Sequence, residues 1–181
     1  SAKNLYELLN NLLQWSRSQS GLIEFKPQKI ALKDTFNNAI DLFRETADAK
    51  NIELDFTFPH KELVVYADGN MLDAVMRNLI SNALKFTNRG GKVHITAEAI
   101  EEFTMIKVTD NGVGLSSEIQ EQLFRIDTHT STYGTQNESG TGLGLILVSE
   151  FVAKHGGKIG VESIKGKGST FYFTVPLMTT K

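Results

Sequence analysis

The chain lacks cysteine altogether. That excludes a disulfide scaffold, a thiolate zinc site, an iron–sulfur cluster and a cysteine nucleophile. It lacks a long apolar run: no stretch approaches the roughly 20 residues needed to span a bilayer, and no secretory leader pattern opens it. It lacks an excess of positive charge. Nineteen basic and 21 acidic residues leave a net charge of −2, which argues against a nucleic-acid binder working by bulk charge. What is present is ordinary for a folded domain: 181 residues, 40% hydrophobic and 22% charged. This composition excludes wholesale disorder and leaves room for one domain with a short appendage.

The first segment differs from the rest. Leu5, Leu8, Leu9, Leu12 and Leu13 recur at helical spacing, with Trp15 extending the stripe, before Gly21 and Pro27 punctuate the chain. A helix this short needs a partner for its apolar face. Two readings stand: a helix packed on its own domain, or one arm of a helical hairpin or dimer bundle. From Ile30 onward the pattern is mixed. Phe36, Ala39, Ile40 and Phe43 have helical spacing, whereas Ile52, Leu54, Phe56 and Phe58 alternate as in a half-buried strand. Val64–Tyr66 reads as a short strand before a turn at Asp68-Gly69. Residues 70–86 are helical, and Val93–Ala99 and Met105–Val108 form a hairpin. Ser117 and Gln120 fit a capping box opening a short helix. Residues 143–155 form a helix stopped by Gly156-Gly157, and a closing hairpin turns around Gly166-Lys167-Gly168.

Eleven of the fifteen glycines fall between Gly112 and Gly168, where backbone must turn sharply or approach a ligand. Gly140-Thr141-Gly142-Leu143-Gly144-Leu145 runs straight into an apolar helix, so free N–H groups and the helix dipole favour an anion there. The spacing is neither the dinucleotide fingerprint nor the P-loop. Asp110-Asn111-Gly112-Val113-Gly114 follows a strand; it suits a tight turn, or a fixed carboxylate that accepts a hydrogen bond from an exocyclic amine such as that of adenine. On the 70–86 helix, Asn78, Asn82 and Lys85 share one face, opposite Leu72, Val75, Leu79 and Ala83. Asparagine is a poor helix former, but its amide oxygen is a hard ligand suited to magnesium, and Lys85 offers a point charge for phosphate. The stripe also suits a solvated polar face. The polar stretch 127–142 is too long for a routine connection; ending at the glycine-rich helix start, it reads as a lid.

Together and in order, Asn78-Leu79-Ile80-Ser81-Asn82-Ala83-Leu84-Lys85-Phe86, Asp110-Asn111-Gly112-Val113-Gly114 and Gly140-Thr141-Gly142-Leu143-Gly144-Leu145 closely resemble the asparagine box and the two glycine boxes of sensor histidine kinases. These belong to the GHKL superfamily, with gyrase, chaperone and mismatch-repair ATPases. Leu123-Phe124-Arg125-Ile126-Asp127 resembles the phenylalanine box, and Gly166-Lys167-Gly168-Ser169-Thr170 the last glycine motif. The resemblance spans about residues 30 to 177. It implies an α+β fold: a two-layer α/β sandwich of the Bergerat type with a mixed sheet.

It also implies ATP and magnesium as ligands. Asp110 would bind the adenine amine with Thr170 nearby, Phe86 would pack on the base, and Gly112 and Gly114 would shape that turn. Asn82, with Asn78 beside it, would ligate magnesium; Lys85 would contact phosphate. Gly140, Gly142, Leu143 and Gly144 would form the lid hinge and phosphate cradle, and Arg125 would reach the γ-phosphate. Superfamily ATPases carry a glutamate where Asn78 stands. An amide cannot serve as general base, so the resemblance implies slow hydrolysis and transfer of the γ-phosphoryl to another acceptor.

In that family the acceptor is a histidine on the first helix of a dimeric hairpin. His60, His94, His129 and His155 do not match it: none precedes an acidic residue or lies in such a helix. Residues 1–26 instead resemble the second helix of the hairpin, with the catalytic domain at 27–181. The expectation is a stretch that starts inside the hairpin, binds ATP and does not phosphorylate itself. Its implied partners are the acceptor helix of the same kinase, a homodimeric parent and a response-regulator receiver domain, with no nucleic acid. The domain would be cytoplasmic and its parent membrane-anchored or not. The rival readings are a GHKL ATPase switch, a serine kinase of a protein partner and a non-catalytic nucleotide sensor.

Overall fold

A computed structural model describes residues 2–59, 61–125, 134–136 and 142–178. Helix α1 (Ala2–Gln19) is followed by strand β1 (Pro27–Ala31), helix α2 (Leu32–Ala49) and strands β2 (Glu53–Thr57) and β3 (Val64–Asp68). Helix α3 (Gly69–Phe86) leads into β4 (Lys92–Ile100) and β5 (Phe103–Asp110). The short helix α4 (Ser117–Gln120), helix α5 (Gly144–Lys154) and strands β6 (Ile159–Ile164) and β7 (Gly168–Pro176) complete the order.

Five strands form one sheet in the order β2-β4-β5-β7-β6. β2 runs parallel to β4 and the other neighbours are antiparallel, so the sheet is mixed, as expected. Alternation decides its two faces. Val93, Ile95, Ile106, Val108, Phe171, Phe173 and Val175 point inward and are buried. Lys107, Thr109, Thr170 and Tyr172 stand on the other, more open face. The inward face meets Leu72, Val75, Met76, Leu79, Ile80 and Ala83 of α3, with α2 and α5 alongside, in one core. This is helix layer on sheet layer.

A second, two-stranded sheet pairs β1 with β3 antiparallel. The sequence pattern did not show β1, because proline opens it; that position is tolerated at a strand start, where no ladder N–H is required. The expected turn at Asp68-Gly69 is absent. β3 passes directly into α3, whose first turn Asp68 caps by accepting from Met71 N at 3.1 Å. The cap at α4 also falls one residue earlier than expected. Ser116, not Ser117, accepts from Ile119 N, while Gln120 Nε2 donates to Leu115 O and Ser163 O.

The segment after α1 is tied to the domain at Asp68. Lys26 N donates to Asp68 Oδ2 at 2.9 Å, and Asp68 N donates to His155 Nε2 at 2.9 Å. Since Nε2 accepts, the proton sits on Nδ1, which donates to Phe151 O at 2.6 Å. His155 is thus a buried, neutral structural imidazole, with the Phe25 ring edge-on at 5.0 Å. Trp15 packs on the core, whereas Leu5, Leu9, Leu12 and Leu13 stay 46–61% exposed. Among the described residues no helix is long and apolar enough to cross a membrane.

Candidate functional site

The candidate site gathers around α3. Its apolar face is buried in the core, and this leaves Asn78, Asn82 and Lys85 half-buried on the other side. The 3.6-residue period fixes that placement. At Asn78, Nδ2 donates back to Ala74 O at 2.8 Å. The amide oxygen then faces the start of α5: a Cβ placed on Gly144 would stand 2.5 Å from Asn78 Oδ1. Glycine lets the two motifs touch. The start of α5 has Leu143 at its N-cap with no side-chain cap bond; the first-turn N–H groups of a helix have no intrahelical acceptor and suit an anion. Gly142, just before, has φ +70°, a conformation glycine adopts without strain.

The other end of the site lies where β5, β7 and the C-terminus of α3 converge. Asp110 is 6% exposed. Its Oδ1 accepts from Gly112 N at 2.9 Å and Ser169 N at 3.3 Å. Among the described residues nothing donates to its Oδ2. Burial pushes the Asp110 carboxyl above the ordinary aspartate range; the two backbone N–H bonds oppose the shift without cancelling it. The Asp110-Gly112 turn is pressed onto α3. Val113 N donates to Phe86 O at 3.0 Å, and a Cβ on Gly112 would lie 2.1 Å from that same oxygen. Gly114, at φ +65°, is equally confined, by Ile164 O at 2.1 Å from its would-be Cβ. Phe86 is half-buried at this corner.

One residue named from the sequence is misplaced. Thr170 pairs with Thr109, their hydroxyls 3.0 Å apart on the open face of the sheet, away from Asp110. Ser169, one residue earlier, stands opposite Asp110 and gives it an N–H. Its hydroxyl lies 2.8 Å from that of Ser163. Alternation with Phe171, Phe173 and Val175 puts Ser169 on the buried face of β7, and the register with β5 sets it opposite Asp110. Arg125 is exposed at the end of the turn after α4, where its N–H donates to Gln122 O at 3.1 Å. Gly140 and Thr141, as well as His60 and His129, lie outside the described residues. His94, on the open sheet face, bonds Asp55 and Thr57.

The donors fit a magnesium nucleotide better than a free-standing metal. No group of three His, Cys, Asp or Glu that could hold a metal occurs among the described residues. Asn82 and Asn78 instead offer neutral amide oxygens on one helix face, as suits an ion that keeps waters and phosphate oxygens in its shell. A buried carboxylate, an amide-lined helix face and a helix start without a side-chain cap stand around one helix of an α/β sandwich, a set of groups that suits a nucleotide.

The comparisons agree. Residues 67–179 match the family described as histidine kinase-, DNA gyrase B- and HSP90-like ATPase. The chain belongs to this family. It is 36% identical over 178 residues to histidine protein kinase DivJ of Caulobacter vibrioides, covering 98% of this chain and 30% of that protein. It is 35% identical over 176 residues to sensor histidine kinase WalK of Bacillus subtilis, covering 96% and 29%. The chain therefore spans less than a third of these relatives. Among solved structures, the catalytic domain of histidine kinase ThkA aligns with TM-score 0.73 at 28% identity, over 85% of this chain and 97% of that one. Full-length ShkA in complex with AMPPNP aligns with TM-score 0.83 at 29% identity, over 97% and 36%. Within the family, the chain is a catalytic ATPase domain of the histidine-kinase type.

Proposed function

We propose that this domain binds Mg-ATP and transfers its γ-phosphoryl group to a histidine supplied by another helix of the same kinase, and thence to an aspartate of a response-regulator receiver domain. The observation that carries this reading is the amide of Asn78 set against the start of α5. A carboxylate there would activate water; an amide has no basicity at working pH. Hydrolysis then lacks a base, and the phosphoryl group is kept for a nitrogen nucleophile. Asp110 Oδ2 accepts the adenine amine, and Phe86 packs on the base. Lys85 and the first-turn N–H groups of α5 hold phosphate oxygens, and Arg125 reaches the γ-phosphate when nucleotide is bound. Asn82 and Asn78 hold magnesium, which when bound neutralises phosphate charge. In the transfer, the bond from the γ-phosphorus to the bridging oxygen breaks as a nitrogen–phosphorus bond forms. The electron pair leaves with ADP, and the imidazole proton goes to solvent.

Residues 1–26 are assigned to the second helix of a dimerisation hairpin, with the catalytic domain at 27–181. The exposed Leu5, Leu9, Leu12 and Leu13 supply the apolar face that pairing would cover. The parent would then be a homodimer, with this domain in the cytoplasm. The test is radiolabelled ATP added to this domain, with and without a chain carrying the acceptor helix. We expect acid-labile label on the acceptor and none on this chain alone. Steady phosphate release with no labelled acceptor would overturn the reading.

A further inference from the structure

Lys50, the residue just after α2, is 5% exposed. Its ammonium donates to Leu84 O at 2.7 Å, Lys85 O at 3.3 Å and Thr135 Oγ1 at 2.9 Å. Burying an ammonium is costly unless its donors are matched. The C-terminal carbonyls of α3 match them, because they are left over by the helix and sit at its negative end. The third partner belongs to a different part of the chain. Thr135 lies in the stretch between α4 and α5, and its own N–H donates to Lys85 O at 3.0 Å. Its hydroxyl accepts from Lys50 and can donate to Lys85 O at 3.2 Å or Thr87 O at 3.1 Å. From another side, Val113 N holds Phe86 O at 3.0 Å. The last turn of α3 is therefore gripped by α2, by Thr135 and by the Asp110-Gly112 turn at once.

We propose that Lys50 and Thr135 form a latch that positions the end of α3 for nucleotide, with Lys50 a positioning residue that does not touch the ligand itself. The inference rests on the nucleotide reading above and deepens it. The main chain held by the latch is that of Lys85 and its neighbours, whose side chains face phosphate and base. Latch formation ties a segment leading to α5 to the helix that presents Asn78 and Asn82. Losing it leaves those groups present but less well placed, and preorganisation is what binding then has to supply.

The test uses Thr135→Ala, Thr135→Ser and Lys50→Met in the full chain, with Mg-ADP affinity read by calorimetry and nucleotide-free melting read alongside. Thr135→Ala leaves the Lys50 bonds to α3 in place. Its melting temperature should stay within about 2 °C of wild type, while affinity falls about tenfold. Thr135→Ser should restore it. The Lys50→Met, Thr135→Ala double variant should bind no more weakly than Lys50→Met alone. Wild-type affinity in Thr135→Ala overturns the latch while sparing the nucleotide reading. A weakened affinity that serine does not restore, or that follows the melting temperature, makes the contact merely structural and also overturns it. Absence of Mg-ADP binding by the wild-type chain would remove the nucleotide reading itself, and the latch with it.

Discussion

At the C-terminal end of α3 the candidate site is backbone packed on backbone; toward the helix middle it is side chains standing on an open face. At the first end, Gly112 has its would-be Cβ 2.1 Å from Phe86 O, and Asp110 is buried with two backbone N–H groups on one oxygen. At the second, Asn78 and Asn82 are half-buried, and Gly144 makes its close approach to a side-chain atom, Asn78 Oδ1. On the proposed reading, the base would meet main chain held by close contacts before any ligand arrives, whereas the phosphates would meet side chains whose final geometry depends on what they hold. A rigid pocket reads shape and hydrogen-bond pattern; an adjustable one accommodates an ion, its waters and a migrating phosphoryl group.

The largest effect should come from filling the rigid end. Gly112→Ala places a methyl against a carbonyl that Val113 also uses, so neither can retreat cheaply. We expect a loss of about 3 kcal/mol of stability, visible in denaturant melts. A wild-type melt would show that the corner is softer than its contacts imply.

Asp110→Asn comes next, and it separates binding from folding. Affinity for Mg-ADP should fall by about a hundredfold, with the fold intact by circular dichroism. Undiminished affinity in calorimetry would remove the adenine assignment. Burial raises the Asp110 carboxyl, so the folded chain binds its proton more readily than the unfolded chain does. The stability linked to this group is therefore fully present below the ordinary aspartate range and declines as pH rises through the raised value. At neutral pH the substitution should leave stability unchanged or improved. Nucleotide affinity should fall on acidification through that window, as Oδ2 gains a proton, and Asp110→Asn should flatten the dependence.

The smallest effect belongs to the adjustable end. Asn82→Ala should weaken nucleotide binding about tenfold with magnesium present and about twofold without it. Equal losses in both conditions would count against Asn82 as a ligand, and would make the phosphate end as indifferent to metal as the base end.

Much of this was legible beforehand because it is periodic or punctuated. The apolar stripe of α3 fixed which face Asn78, Asn82 and Lys85 occupy, and glycines marked the close approaches at Gly112, Gly114 and Gly144. Choices between adjacent residues are not fixed by periodicity. Ser169 and Thr170 differ by one step on β7, and a strand sends successive side chains to opposite faces. Choosing between them needed the register with β5. The cap at α4 moved from Ser117 to Ser116 because two serines stand together, and local chemistry does not rank them. Strand β1 was missed because its proline hides it and its pairing partner lies beyond α2.

By itself the sequence determined the helix face, the glycines at close approaches and the amide at position 78. All three follow from residue identity and short-range periodicity. Only the tertiary structure decided that Ser169 faces Asp110, that Asn78 meets Gly144, and that Lys50 reaches Thr135. Those pairs lie 59, 66 and 85 residues apart. Such contacts are set by sheet register and by layer packing, which no local pattern encodes.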